Sequence, residues 1–194
     1  MIAGAAAIFV VGCGTANDAN QSSKSSGPGE TTSTSKVAKS GPPEGTKSFQ
    51  NLGYDHVKGS VHYRQVPPVG GDHASIWQNC GFYPEPVRDE TAVHSIEHGA
   101  VWITYRPGLP AAQVTYLREL ADNETYVLVS LYPDLPTPVV ASAWGKQLRL
   151  DSAEDPRLEQ FVSAFRRGPQ TPEPGAPCRG GTSKTVSRPV GAHE

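Results

Sequence analysis

The stretch HSIEHGAVWITY, residues 94–105, constrains the fold of this chain more than any other. His94 and His98 are four positions apart, a spacing that places both side chains on one face of a helix. Gly99 favours the end of that helix, and the alternating apolar residues after it predict a strand. The sequence therefore predicts a short helix that carries two histidines and leads directly into a core strand.

Composition limits the classes of protein that this chain can represent. Lys+Arg number 17 against 19 for Asp+Glu, which leaves no electrostatic case for a nucleic-acid partner. A hydrophobic content of 37% with 20 Gly and 18 Pro is low for a chain that folds throughout. What remains suits one domain of roughly 130 residues, long enough for a single core.

The N-terminal residues 1–13 predict export. They form a small, apolar run that ends in Val-Val-Gly-Cys, with Cys13 as its last residue. This ending resembles the lipobox of bacterial lipoproteins, in which the cysteine is lipidated and becomes the mature N-terminus. An ordinary signal peptide is the alternative. We therefore predict a lipid anchor at Cys13, with the membrane surface as partner and the extracytoplasmic face of the cell membrane as location; no protein partner can be identified from the sequence.

The rest of the chain divides into a predicted tether, a domain and a tail. Residues 14–48 are polar and rich in Ser, Thr, Gly and Pro, which predicts a disordered tether. We expect a globular domain over 49–180 and a disordered tail over 181–194. Irregular alternation of strands and helices predicts a small, compact single α+β domain with a mixed or antiparallel sheet, two or three helices and Pro/Gly-rich loops. Besides the helix at His94, we expect helices over 111–121 and 155–166 and strands over 100–105 and 126–132. Residues 80–83 predict a short strand or a packed loop, and 139–150 a strand or a hairpin with Gly145 at a turn or bulge.

Five of the six histidines lie between positions 56 and 98. Of these, His73, His94 and His98 each sit beside a turn or helix able to present the side chain inward, so they predict the ligands of a zinc or copper ion. Predicted support for this site comes from His56, Cys80 and Glu97. The alternative is a metal-free envelope or interaction module whose histidines are structural.

The segment from His94 to His98 also matches the pattern H-x-x-E-H, in which two histidines bind zinc and the glutamate acts as general base. That pattern normally lies within a long helix, whereas Gly99 ends this one at once. A metal-dependent hydrolase is therefore the less favoured alternative, and the sequence favours a binding domain over an enzyme.

Cys80 and Cys178 remain once Cys13 is assigned to the anchor. An even pair of cysteines in an exported chain most often forms a disulfide, which we predict here. Two thiolate ligands for Cu(I) are the alternative.

Several motifs together resemble a known family. They are PPVGGDH at 67–73, WQNCGFY at 77–83, HSIEHGAVW at 94–102 and AWG at 143–145. In these motifs the chain resembles the bacterial family catalogued as domain of unknown function 3105. The resemblance implies a domain over roughly residues 50–180 and agrees with attachment to a membrane, but it implies no activity or cofactor.

Overall fold

A computed structural model describes residues 41–187 of the chain, all of them within one compact unit. Three helices and a six-stranded sheet confirm the predicted α+β class. In chain order the elements are β1 (Lys47–Ser48), β2 (Gly81–Tyr83), α1 (Asp89–Glu97), β3 (Val101–Tyr105), α2 (Ala111–Asn123), β4 (Val127–Leu131), β5 (Val139–Ala143), β6 (Lys146–Leu150) and α3 (Arg157–Phe165).

The sheet is mixed, with strand order β1-β6-β5-β3-β4-β2. β3 and β2 both pair parallel with β4, while the pairs β3–β5, β5–β6 and β1–β6 are antiparallel. Parallel neighbours require a crossover, which α2 supplies between β3 and β4, whereas β5 and β6 form the predicted hairpin around Gly145. The sheet therefore combines a local hairpin, β5–β6, with a parallel pair, β3 and β4, that a helix connects.

The sheet has two faces of different chemistry, which follow from the alternation of side chains along each strand. On one face, here called the aliphatic face, Val101 and Ile103 pack with their neighbours from β4, β5 and β6 against α2 and α3. On the other, here called the histidine face, Trp102 and Leu128 pack against α1 and against loops. The helices that cover the aliphatic face contribute Leu117, Ala121, Leu158, Phe161, Val162 and Phe165.

Helix α1 is buried along its whole length, unlike α2, of which only Leu117 and Ala121 are buried. It begins at the acidic pair Asp89 and Glu90 and ends before Gly99, as the sequence predicts. Gly99 has a φ of 103°, and a Cβ there would lie 3.0 Å from the Cα of Arg167. Only glycine suits that conformation and that close approach, so the helix stops and β3 begins.

Secondary structure extends past both predicted limits of the domain. Lys47 and Ser48, which fall in the predicted tether, pair with β6, and Thr182, in the predicted tail, forms a bridge with Gln78. Each of these segments supplies hydrogen bonds to the edge of the fold, a role that composition does not show. The described residues do not include Cys13, the predicted signal segment 1–13 or the greater part of the predicted tether. Within residues 41–187, no helix has the length and apolar character needed to cross a membrane.

Candidate metal centre

The site forms where the chain before β2 folds over the C-terminal end of α1. The amide of Val57 donates to the His73 carbonyl at 2.8 Å, and the amide of His73 donates to the Asp55 carbonyl at 2.9 Å. This short parallel bridge brings His56 next to His73. Both imidazole rings lie next to that of His94, a buried residue in the last turn of α1.

Four side chains converge there and are called the His/Glu cluster: His56, His73, His94 and Glu97. One ligand atom from each lies within 4.8 Å of all the others. The imidazole centroids of His56, His73 and His94 are 4.8 to 5.0 Å apart. His56 is exposed and the other three residues are buried, so the cluster has one side open to solvent.

Backbone carbonyls fix the orientation of three imidazoles. Since a carbonyl oxygen only accepts hydrogen bonds, the hydrogen of each ring must lie on Nδ1 and the lone pair on Nε2. Such a contact on the far nitrogen is the usual support of a histidine that ligates a metal. The donors and acceptors are His73 Nδ1 to Gly71 (2.9 Å), His94 Nδ1 to Ala74 (2.7 Å) and His98 Nδ1 to Pro177 (2.6 Å).

The atoms that face one another inside the site are therefore acceptors. His94 Nε2 lies 2.9 Å from His98 Nε2. His73 Nε2 lies 2.9 Å from Glu97 Oε2 in an approach that lacks hydrogen-bond geometry. Lone pairs at this distance repel unless a positive charge lies between them. A metal ion is one such charge: Zn–N bonds of about 2.0–2.1 Å place two tetrahedral nitrogens about 3.3–3.4 Å apart.

Burial lowers the pKa of His94 to about 4, although the hydrogen bond to Ala74 acts in the opposite direction. The neighbouring imidazoles of His98 and His73 lower this pKa further. His94 is consequently neutral at physiological pH, which is the form that binds a metal.

His73 and Glu97 face each other at 2.9 Å, and each shifts the pKa of the other. Burial lowers the pKa of His73, but the Glu97 carboxylate and the Gly71 carbonyl outweigh burial and raise it above its usual value. Burial raises the pKa of Glu97, yet its contact with His73 outweighs burial and lowers it. Both shifts favour a positive charge between His73 Nε2 and the Glu97 carboxylate, whether a proton or a metal ion supplies it.

Comparison with known protein families identifies a match over most of the chain. Residues 56–180, which include the whole His/Glu cluster, match the family described as "Protein of unknown function (DUF3105)". The chain belongs to this family. No curated protein and no solved structure matches it. The family confirms the resemblance drawn from the sequence motifs, and the site has to be interpreted from the geometry of this DUF3105 domain itself.

The structure brings together most of the residues that the sequence selects as ligands. His73 and His94 are both in the His/Glu cluster, together with Glu97 and His56, which the sequence assigns to support. His98 is next to the cluster rather than in it, because its ligand atom does not lie within 4.8 Å of all four members. His98 belongs instead to a second group of three potential ligands, formed with Glu97 and Glu173.

Cys80, another predicted supporting residue, is not available as a thiolate ligand. Its sulfur is bonded to that of Cys178, with the two Cα atoms 5.4 Å apart. The pair ties β2 to the C-terminal segment that contributes Pro177 to His98.

Glu173 is the potential ligand that sequence analysis misses. It lies 75 positions beyond His98 in a proline-rich loop, where an exposed carboxylate carries no periodic signal. The predicted disulfide is the signal that could have found it, since Cys178 brings this loop to Cys80 and thus to the end of α1.

The H-x-x-E-H segment does not lie within a long helix. α1 is nine residues long and ends at Glu97, so His98 follows the helix. Glu97 contacts His73 directly, which gives it the position of a ligand or charge partner inside the DUF3105 site.

Proposed function

We propose that this chain is a lipid-anchored, extracytoplasmic DUF3105 domain that binds a transition metal ion, zinc or copper, through the His/Glu cluster. The observation that carries the proposal is the convergence of His73 Nε2, His94 Nε2 and the Glu97 carboxylate on one point, with the Nδ1 atoms of both rings turned away to backbone carbonyls. Imidazole nitrogens with one carboxylate suit zinc and Cu(II), which share this ligand preference.

Ligand orientation supports binding over a purely structural role for the histidines. A structural histidine in a core satisfies both ring nitrogens with hydrogen bonds. His73 is fully buried, and its Nε2 instead faces the Glu97 carboxylate at 2.9 Å without hydrogen-bond geometry. A bound cation between the two groups satisfies both.

The exposed His56 supports exchange of the ion with solvent. It is the outermost of the four side chains, held by the backbone bridge to His73 and by stacking on the His94 ring. An ion can therefore enter from the His56 side without disturbing α1.

The first experiment measures metal directly. We expect the untagged protein to bind zinc or copper, and His73→Ala combined with His94→Ala to reduce affinity by a factor of about 100 or more, since each ligand and its support typically contribute ten- to hundredfold. His62→Ala is the matched control, because His62 is an exposed histidine outside the cluster. Equal, negligible metal in the wild type and in the double variant would overturn the proposal.

Thermal unfolding gives an independent measurement. A ligand at 100 times its dissociation constant adds about 2.7 kcal/mol to the stability of the folded state, or roughly 5–10 °C in Tm for a chain of this size. We expect that increase with zinc or copper, its reversal by a chelator and its loss in the double variant. A Tm that neither metal nor chelator changes would instead identify a metal-free module.

The anchor and the location need a separate experiment because Cys13 lies outside the described residues. The support for them is the Val-Val-Gly-Cys sequence and the Cys80–Cys178 pair, which suits an oxidising compartment. We expect the mature protein to carry lipid on Cys13 and to leave the membrane fraction in Cys13→Ala. Mass spectrometry that finds Cys13 unmodified in a retained N-terminus would contradict this part of the proposal.

A further inference from the structure

A second group of ligands lies at the rim of the His/Glu cluster. It consists of Glu97, His98 and Glu173, each with one ligand atom within 4.8 Å of the others. Within it, His98 Nε2 lies 3.6 Å from Glu173 Oε2. Glu97 is common to both groups, and only Glu173 is exposed.

The position of Glu173 is fixed by the backbone. Its amide donates to the Glu97 carbonyl at 3.2 Å, and the amide of Gly175 donates to the His98 carbonyl at 3.0 Å. The Pro177 carbonyl accepts from His98 Nδ1, and the next residue, Cys178, is bonded to Cys80. The loop is therefore held to the end of α1 at three points and to Cys80 at a fourth, so Glu173 is placed at the site by the fold rather than by chance contact on the surface.

His98 is the second observation that points to a ligand. It is 3% exposed, and its Nε2 lies 2.9 Å from that of His94, a contact that needs a proton or a metal ion because both Nδ1 atoms donate to carbonyls. One ion in the His/Glu cluster satisfies His94 but leaves His98 and the Glu173 carboxylate unused. A second ion between His98 and Glu173 would bind both of these side chains, with the second oxygen of Glu97 as its third ligand.

We propose that Glu97 is a bridging carboxylate and that His98 and Glu173 complete a second, solvent-facing divalent cation site beside the buried one. This inference rests on the proposed function, because it adds an ion to the same site. One nitrogen and two carboxylates form a harder ligand set than the His/Glu cluster, suited to zinc or manganese and less to copper. Carboxylate-bridged ions generally lie about 3.5–4 Å apart, close enough to act on one bound oxygen ligand.

The experiment is a zinc titration of the untagged full-length protein by equilibrium dialysis. We expect two equivalents at saturation in the wild type, one for each group of ligands. Glu173→Gln should lose the weaker equivalent, with a decrease in its affinity of about tenfold or more, and keep the tighter one nearly unchanged. Glu173 is exposed, so the substitution leaves the fold intact. Glu119→Gln on α2 is the matched control, since Glu119 is also an exposed glutamate and lies far from α1 in the fold.

Each outcome distinguishes the two proposals. Two equivalents in the wild type and in Glu119→Gln, with one in Glu173→Gln, support the second site. One equivalent in the wild type overturns the second site and leaves the metal-binding function standing. Two equivalents of unchanged affinity in Glu173→Gln also overturn it. No bound zinc or copper at all overturns both proposals.

Discussion

The aliphatic face and the histidine face are covered by helices of different kinds. α2 and α3 each bury one apolar stripe and expose the rest, whereas α1 buries all nine of its residues, among them Asp89, Glu90, His94 and Glu97. Apolar side chains tolerate imperfect neighbours because burial itself stabilises them. Buried polar side chains need a specific partner for each atom, so the histidine face depends on individual contacts in a way that the aliphatic face does not.

The largest expected effect is on the aliphatic face. Phe161 is fully buried and packs against Phe165 with their ring centroids 4.7 Å apart. Phe161→Ala should lower the free energy of unfolding by about 3–5 kcal/mol, because the cavity cannot be refilled. Urea unfolding in the presence of a chelator measures it.

The half-buried Leu120 on the same face is the control, and Leu120→Ala should cost less than half as much. Zinc affinity of the folded Phe161→Ala protein should stay within about threefold of wild type, since distant sites act independently. A loss of affinity as large as that of the histidine variants would show that the two faces are not separate.

On the histidine face, acid should destabilise the metal-free protein through His94. Its folded pKa is about 4, below the unfolded value of about 6.5, so its contribution is present above pH 6.5 and is lost as the pH falls toward 4. We expect a loss of about 1–3 kcal/mol over this interval. His73, with a raised pKa, contributes in the opposite direction, so the comparison with a variant is essential.

In His94→Gln the side chain cannot titrate, and the part of the acid dependence that belongs to His94 should disappear. Chemical unfolding at a series of pH values, with chelator present, measures the difference between the two proteins. Identical pH profiles would show that burial of His94 does not govern its charge.

Asp89 gives a smaller effect of opposite sign. Burial raises its pKa well above the usual value, although the hydrogen bond from Tyr132 acts against burial. A raised carboxyl pKa means that stability is present below the unfolded value of about 3.9 and is lost as pH rises through the folded one. Asp89→Asn should therefore be more stable than wild type near pH 7.5, by an amount on the order of 1 kcal/mol, and about equal to it near pH 4.

The matched control for Asp89 is Asp122→Asn, at an exposed position of α2. Its free energy of unfolding near pH 7.5 should lie within about 0.5 kcal/mol of the wild-type value, as for most surface substitutions. If the free energy of unfolding of Asp89→Asn differs from that of wild type by the same amount at both pH values, burial does not raise the cost of ionising Asp89.

The smallest effect should come from the exposed side of the aliphatic-face helices. Tyr116 donates to Glu159 Oε1 at 2.6 Å across the groove between α2 and α3. Because the contact is exposed, Tyr116→Phe should change the free energy of unfolding by less than about 0.5 kcal/mol. A cost comparable with that of Phe161→Ala would place Tyr116 in the core of that face.

Elements with a local sequence pattern are predictable from the sequence, whereas elements that depend on pairing with distant residues are not. The stripe from Leu158 to Phe165 predicts α3, because the period of an amphipathic helix is local in sequence. β1 has only two residues and exists through its pairing with β6, about 100 positions away, so no local pattern reveals it. The parallel pairing of β2 with β4 is equally non-local.

In the site, the types of residue are predictable but their exact grouping is not. A position beside a turn or helix identifies His73, His94 and His98 from the sequence. His56 enters the cluster through one backbone bridge, and Glu173 joins Glu97 and His98 through a loop from the C-terminal part of the domain. Carbonyl partners such as Pro177 leave no trace in side-chain chemistry, although they determine which nitrogen of each ring is free.

The direction of α1 has a further consequence for what the site can bind. His94, Glu97 and His98 lie at the C-terminal end of the helix, while Asp89 and Glu90 lie at its start. Aligned peptide dipoles give the C-terminal end of a helix a partial charge of about −0.5, strongest within the last turn. This field adds to the charge of Glu97, so it strengthens the imidazoles as electron donors and repels anions. Phosphate or sulfate should therefore not compete for the position between these side chains, whatever their concentration in the surroundings of the protein.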